Sequence, residues 1–142
     1  MQPITHLGID HALCGVPGQL SPGRATASLM TTSKMAADDR GLVHGGFVFG
    51  LADHAAMLAV NDPNVVLGSA STRFLAPVRV GEVVTASAQV TEEKGRKRVV
   101  RVQAQVGERV VLSGELVCFV LDQHVLDGAA APPGRSEPRT AG

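Results

Sequence analysis

A chain of 142 residues with 44% hydrophobic content is the size of one domain with a modest core. Thirteen basic residues balance thirteen acidic ones, which removes any bulk attraction to nucleic acid or to an anionic membrane. The absence of Trp and Tyr also removes the aromatic platforms that stack single-stranded bases.

Taken in order, residues 1–6 lack the basic-then-apolar pattern of a signal peptide, and no later run approaches the roughly 20 apolar residues that cross a bilayer. Cys14 and Cys118 form no CxxC pair and no His/Cys cluster. The expectation is a cytoplasmic protein with reduced thiols, no metal site and no membrane partner. A short strand is expected around Ala12 to Val16. A second, from Ala25 to Ser33, alternates Ala25, Ala27, Leu29 and Thr31 against Thr26, Ser28 and Met30. Gly46 to Val60 reads as a helix: Phe47, Leu51, Met57 and Leu58 mix with four alanines, and nothing breaks the run. A helix apolar almost all round is a buried one. Its single charged residue, Asp53, is therefore costly unless something uses it.

Val65 to Leu75 reads as a strand closed by Ala76-Pro77. Three more follow on the alternations Val84-Ala86-Ala88-Val90, Val100-Val102-Ala104-Val106 and Val110-Leu112-Leu116-Cys118-Val120, with Gly114 read as a bulge. The links at 92–96 and 106–108 are hairpin length, so these strands form an antiparallel meander. Residues 128–142, rich in Pro, Gly and Ala, bury too little to offset ordering and are expected to be a disordered tail behind one domain, 1–127. The class is α+β, with a long antiparallel sheet curled around one helix.

The chemistry concentrates between Val43 and His54. Gly45 and Gly46 at a helix start permit close backbone approach, and the first N–H groups of a helix have no intrahelical partner. The positive end of the helix dipole adds to them, so an oxygen with partial negative charge would sit well there. A buried carboxylate two turns later should have a raised pKa unless paired, and such groups cluster at functional sites. The plainer alternative for Asp53 is a solvent-facing residue or an arginine partner. His54 points roughly 100° away from Asp53 and reads as a packed or interfacial histidine.

The segment His44-Gly45-Gly46-Phe47-Val48-Phe49-Gly50-Leu51-Ala52-Asp53 resembles the helix-start signature of hotdog-fold acyl-CoA thioesterases of the PaaI-like, 4-hydroxybenzoyl-CoA thioesterase type, with the Asp nine positions after the His. Thr72-Arg73-Phe74-Leu75-Ala76-Pro77-Val78-Arg79-Val80-Gly81-Glu82 resembles the family strand that ends in Pro, two spacers and Gly-Asp/Glu. The resemblance covers roughly residues 8 to 122. It implies hydrolysis of an acyl-CoA at the interface of a homodimer, itself part of a homotetramer, with no cofactor beyond the CoA of the substrate. Gly45 of one chain would then face Asp53 of the other. Backbone N–H groups of Gly45 and Gly46 would hold the thioester carbonyl, and Asp53 would serve either as general base or as nucleophile. His44, counted with the catalytic residues, would hold the loop or the pantetheine arm in preference to transferring a proton itself, and Phe47 would help line the acyl pocket together with Phe49, Met57, Leu58 or Phe74.

The sequence departs from the family where an Asn is common six residues before the His, because Asp38 stands there. Opposite the partner's Asp53, it would push one carboxyl pKa upward. A pH–rate profile unchanged in Asp38→Asn would remove that idea. Some relatives supply a hydroxyl from the strand after the helix; Ser69, Ser71 and Thr72 are candidates, with Ser71 preferred. Arg73 and the cluster Arg96, Lys97 and Arg98 are either solvated turn residues or a clamp on the CoA phosphates. The competing function is a non-catalytic, acyl-CoA-sensing hotdog domain, as in repressors that share the His-Gly-Gly segment. Such repressors carry a helix-turn-helix, for which the 24 residues ahead of Ala25 offer no room.

Overall fold

In the computed structural model, which describes residues 1–128, the apolar run becomes one helix, α2 (Gly45–Val60). Alanine, leucine and methionine favour it, and β-branched residues are few. It stops at Asn61, which turns left-handed at φ 50° and donates its N–H to the Met57 carbonyl at 2.8 Å, with Pro63 soon after. Ala52, Ala55, Ala56 and Ala59 of α2 and Ala27, Ala86 and Ala104 of the sheet are all buried. Small side chains on both surfaces let the sheet curl close around the helix.

The sheet has six antiparallel strands in the order β1-β2-β4-β5-β6-β3. They are β1 (Val16–Ser21), β2 (Arg24–Met30), β3 (Val65–Phe74), β4 (Val83–Lys94), β5 (Lys97–Val106) and β6 (Arg109–Val120). The meander of β4, β5 and β6 is as expected, and their alternating residues Val84, Ala86, Ala88, Val100, Val102 and Ala104 pack inward. The chain carries β3 across to pair with β6 at the far edge, which leaves β1 and β3 as the two open edges. One long helix wrapped by a curled antiparallel sheet is the hotdog arrangement.

Four local expectations are corrected. Residues around Ala12 form a single helical turn, α1 (His11–Cys14), capped by Asp10, whose carboxylate accepts from Ala12 N–H at 2.8 Å. The first strand begins only at Val16; Pro17 and Gly18 hid it, and Pro is tolerated because β1 is an edge. The second strand ends at Met30, and Ser33–Met35 make a 3₁₀ turn. Gly114 is no bulge, since it pairs in register with both Thr72 and Val102.

Close approach explains Gly114 instead: a Cβ there would strike the Ser71 carbonyl oxygen and come within 2.7 Å of Thr72 Cα, both rigid backbone. Gly114→Ala should therefore force β3 and β6 apart at a cost of about 1–3 kcal/mol. The readout is a lower urea midpoint at unchanged slope. In the two pairings of β6 the register shifts fall at Gly68 of β3, between Leu67 and Ser69, and at Val111, where β6 places Val111 and Leu112 both inside. Gly128 closes a last turn, α3 (Val125–Gly128); the rest of the expected tail, 129–142, lies outside the described residues.

Candidate active site

The start of α2 is held from two sides before the helix begins. Val43 N–H donates to Val78 O and His44 N–H to Met35 O, each at 2.8 Å, and Ala36 bridges Val43. Asp38 braces the intervening loop, its Oδ1 accepting from Arg40 N–H at 2.9 Å and Leu42 N–H at 3.2 Å. His44 enters the helix at φ −63° and ψ 130°, and its side chain caps nothing. Consequently the N–H groups of Gly45 and Gly46 have no helical acceptor, and neither donates to any other group among the described residues. The ring of Phe74 lies over Gly45, 3.3 Å from where a Cβ would sit, and the His44 ring lies 3.0 Å from the same point on Gly46. Glycine is what keeps both N–H groups reachable. Beside them opens a cavity of about 360 Å³, bounded by the apolar residues Val43, Val48, Phe74, Val78 and Val111.

Asp53 lies two turns further along. Its Oδ1 is shielded from solvent and accepts no hydrogen bond among the described residues. Burial alone raises its carboxyl from the ordinary range to about 6. In the protomer, Asp38 plays no part in that shift. The thiols of Cys14 and Cys118 feel the same charge: burial first, then Asp53, pushes Cys118 up to about 12, and Cys14 is raised by burial, Asp10 and Asp53. Unlike an arginine partner, neither thiol neutralises the carboxylate.

His54 turns the other way, as its position on the helix requires. It is 2% exposed, its Nδ1 lies 3.2 Å from the Cys14 carbonyl, and its ring stacks with those of His6 and His11 at centroid distances of 6.5 and 6.2 Å. Burial lowers the pKa of both His54 and His6. A lowered histidine binds fewer protons folded than unfolded, so stability is complete above the unfolded value of 6.5 and declines as pH falls through it. Thermal midpoints should drop from pH 7.5 to 5.5, and His54→Gln should flatten the decline.

The remaining expected site residues scatter. Phe47 is partly buried and meets the His44 ring edge-on at 6.1 Å. Phe74 lines the cavity at the helix start, whereas Met57 and Leu58 are fully enclosed in the core. After the shift at Gly68, Ser71 and Arg73 pair with Glu115 and Ser113 on the face turned away from α2, and Thr72 is the hydroxyl on the helix side. Only that bulge sets their orientation, and no spacing in the sequence announces it. Arg96, Lys97 and Arg98 lie at the opposite end of α2, where Arg98 shares a cavity wall with Ala59 and Val60. Arg96 pairs with Asp122, and Arg98 with Glu93 at 3.0 Å. The sequence reading missed Val43, Val78 and Val111 as cavity walls, because three separate elements supply them.

Comparisons with known proteins bear on this site. The sequence pattern described as Thioesterase superfamily matches residues 40–113, which span the glycine pair, α2 and most of the sheet. The chain is 50% identical over 119 residues to methylthioribose-1-phosphate isomerase of Aquifex aeolicus, covering 83% of this chain and 26% of that protein. It is 32% identical over 114 residues to transcription factor FapR of Bacillus velezensis, covering 78% and 60%. The chain thus spans less than two thirds of either relative. Among solved structures, an uncharacterized protein from Pyrococcus horikoshii superposes with a TM-score of 0.88 at 48% identity, covering 89% of this chain and 98% of that one. A mutant of the phenylacetic acid degradation protein PaaI from Thermus thermophilus superposes with a TM-score of 0.71 at 28% identity, covering 78% and 96%.

Proposed function

Because this chain belongs to the Thioesterase superfamily, we propose that it hydrolyses acyl-CoA thioesters, with a homodimer as the smallest active unit. One observation carries the reading: two unused N–H donors and one unpaired carboxylate, each suited to one half of acyl transfer, stand apart on one helix. At 1.5 Å per residue, Gly45 and Asp53 are separated by about 12 Å along the axis of α2. A carbonyl held at Gly45 is therefore out of reach of the same chain's Asp53. A twofold partner with its helix alongside, running antiparallel, removes the gap by setting Asp53 of one chain against the glycines of the other. The open edge of β3 supports such pairing: Gly68 to Ser71 are exposed, small and uncharged, with an unpaired row of backbone groups.

In this site the thioester oxygen accepts from the Gly45 and Gly46 N–H groups, which oppose the negative charge that develops there. Asp53 either takes a proton from the attacking water or attacks the carbonyl carbon itself, forming a mixed anhydride that water then opens. Both routes expel CoA as the thiol and leave the free acid. Label found in Asp53 after single-turnover hydrolysis in ¹⁸O-water identifies the anhydride route, opened by water at the enzyme carbonyl. The antiparallel pair also carries Lys97 toward the partner's site, where it can meet CoA phosphates. Arg96 and Arg98 are already paired and serve the hairpin.

The test is release of free thiol from short, long and aromatic acyl-CoAs. Hydrolysis of none of them removes the proposal. A second reading, acyl-CoA binding without turnover, is favoured by the likeness to FapR and predicts that CoA esters bind and stay intact.

A further inference from the structure

The face of the sheet away from α2 carries a second site. Its side chains alternate with the buried Ala25, Ala27, Ala86, Ala88, Val100 and Val102, so they project outward. Two cross-strand rows run over β2, β4 and β5. One is Arg24-Gln89-Arg101 and the next is Thr26-Ser87-Gln103. Thr26 and Ser87, short beside the long side chains of the first row, leave a groove of about 330 Å³ that Gln19 and Ser21 of β1 also line. No carboxylate among the described residues lines it. That is unexpected for a chain with equal numbers of acidic and basic residues.

Among the described residues, Arg96, Arg98 and Arg109 have carboxylate partners, but Arg24 and Arg101 have none. Glu115, opposite Arg101 on β6, does not pair with it. Two strand spacings put Cα of Arg24 and Arg101 about 10 Å apart. Arginine side chains are long enough to span that gap and meet over Gln89, around something the size of two linked phosphates. A guanidinium fork matches such oxygens bidentately, and amides and hydroxyls beneath it complete the shell. No aromatic side chain lines the groove to stack a base, so recognition rests on the anion.

We propose that this groove is a binding site for a diphosphate group, held between Arg24 and Arg101, on the opposite face of the sheet from Asp53. It does not depend on the thioesterase reading. The group has two sources, free inorganic diphosphate or the diphosphate arm of a nucleotide such as CoA.

Titration calorimetry of the full chain at low salt, with pyrophosphate, CoA and orthophosphate as probes, tests it. Pyrophosphate is expected to bind at least tenfold more tightly than orthophosphate. Arg24→Gln and Arg101→Gln should each weaken it about tenfold, since each removes a charged hydrogen-bonding partner. Arg73→Gln, on the same face but outside the groove, should leave it unchanged. Gln89→Glu keeps both arginines and sets a carboxylate between them, so it should abolish binding. Loss in the same variants of the CoA bound beyond the catalytic site identifies the CoA arm as the source, and pyrophosphate binding with an unchanged CoA isotherm identifies the free anion. Millimolar binding that Arg73→Gln weakens as much as Arg24→Gln, or that Gln89→Glu leaves intact, overturns the site.

Discussion

Asp53→Asn is expected to lower the rate of thioester hydrolysis on the order of a thousandfold, the usual range for loss of a positioned general base. The protein should remain folded. The wild type should show an acid limb near pH 6, because burial holds the carboxyl at about 6 and only its ionised form can take a proton or attack. Stability should move in the opposite direction. Folded Asp53 keeps its proton up to about 6 whereas the unfolded chain releases it near 3.8, so the folded state binds more protons between those values. The contribution of Asp53 to stability therefore falls as pH rises through that window, opposite in sign to that of His54 and His6. Asparagine carries no such penalty, and Asp53→Asn should melt a few degrees above wild type at pH 8. A variant within tenfold of wild-type activity would remove Asp53 from the chemistry.

Gly45→Pro should cost a hundred- to a thousandfold, as does removal of a single oxyanion donor elsewhere. Proline is the sharpest probe because it deletes the N–H while fitting the first helical position, and His44 at φ −63° and ψ 130° already has the conformation that precedes proline. Helix content and melting should barely change. Mixing Gly45→Pro chains with Asp53→Asn chains then tests whether the two halves of the site come from different subunits. After random reassociation half the dimers are mixed, and each contains one site with both defects and one with neither. About a quarter of wild-type activity should return. No recovery, in a mixture shown to exchange subunits, would place both groups in one chain.

Much of the architecture was legible. The apolar run without breakers predicted α2, and the period-two alternation predicted β4, β5 and β6 and which of their residues face inward. Misreadings occurred where neighbours overrule local preference. Pro17 and Gly18 argue against a strand, yet an edge tolerates them. Gly114 looks like a bulge, but the close approach of Ser71 and Thr72 demands a residue without Cβ.

For the site, residue types and spacing along one helix sufficed to single out Asp53 and the glycines, because exposed first-turn N–H groups and an isolated charge in an apolar run are properties of sequence. The unused state of those N–H groups, the unpaired Oδ1 and the raised carboxyl depend on what packs around them, and Phe74, Val78 and Val111 arrive from distant segments. Tertiary structure also decided which hydroxyl on β3 faces the helix, because one extra residue at Gly68 reverses every side chain beyond it. A strand's alternation is written in its sequence, but its register is settled only by the partner it pairs with.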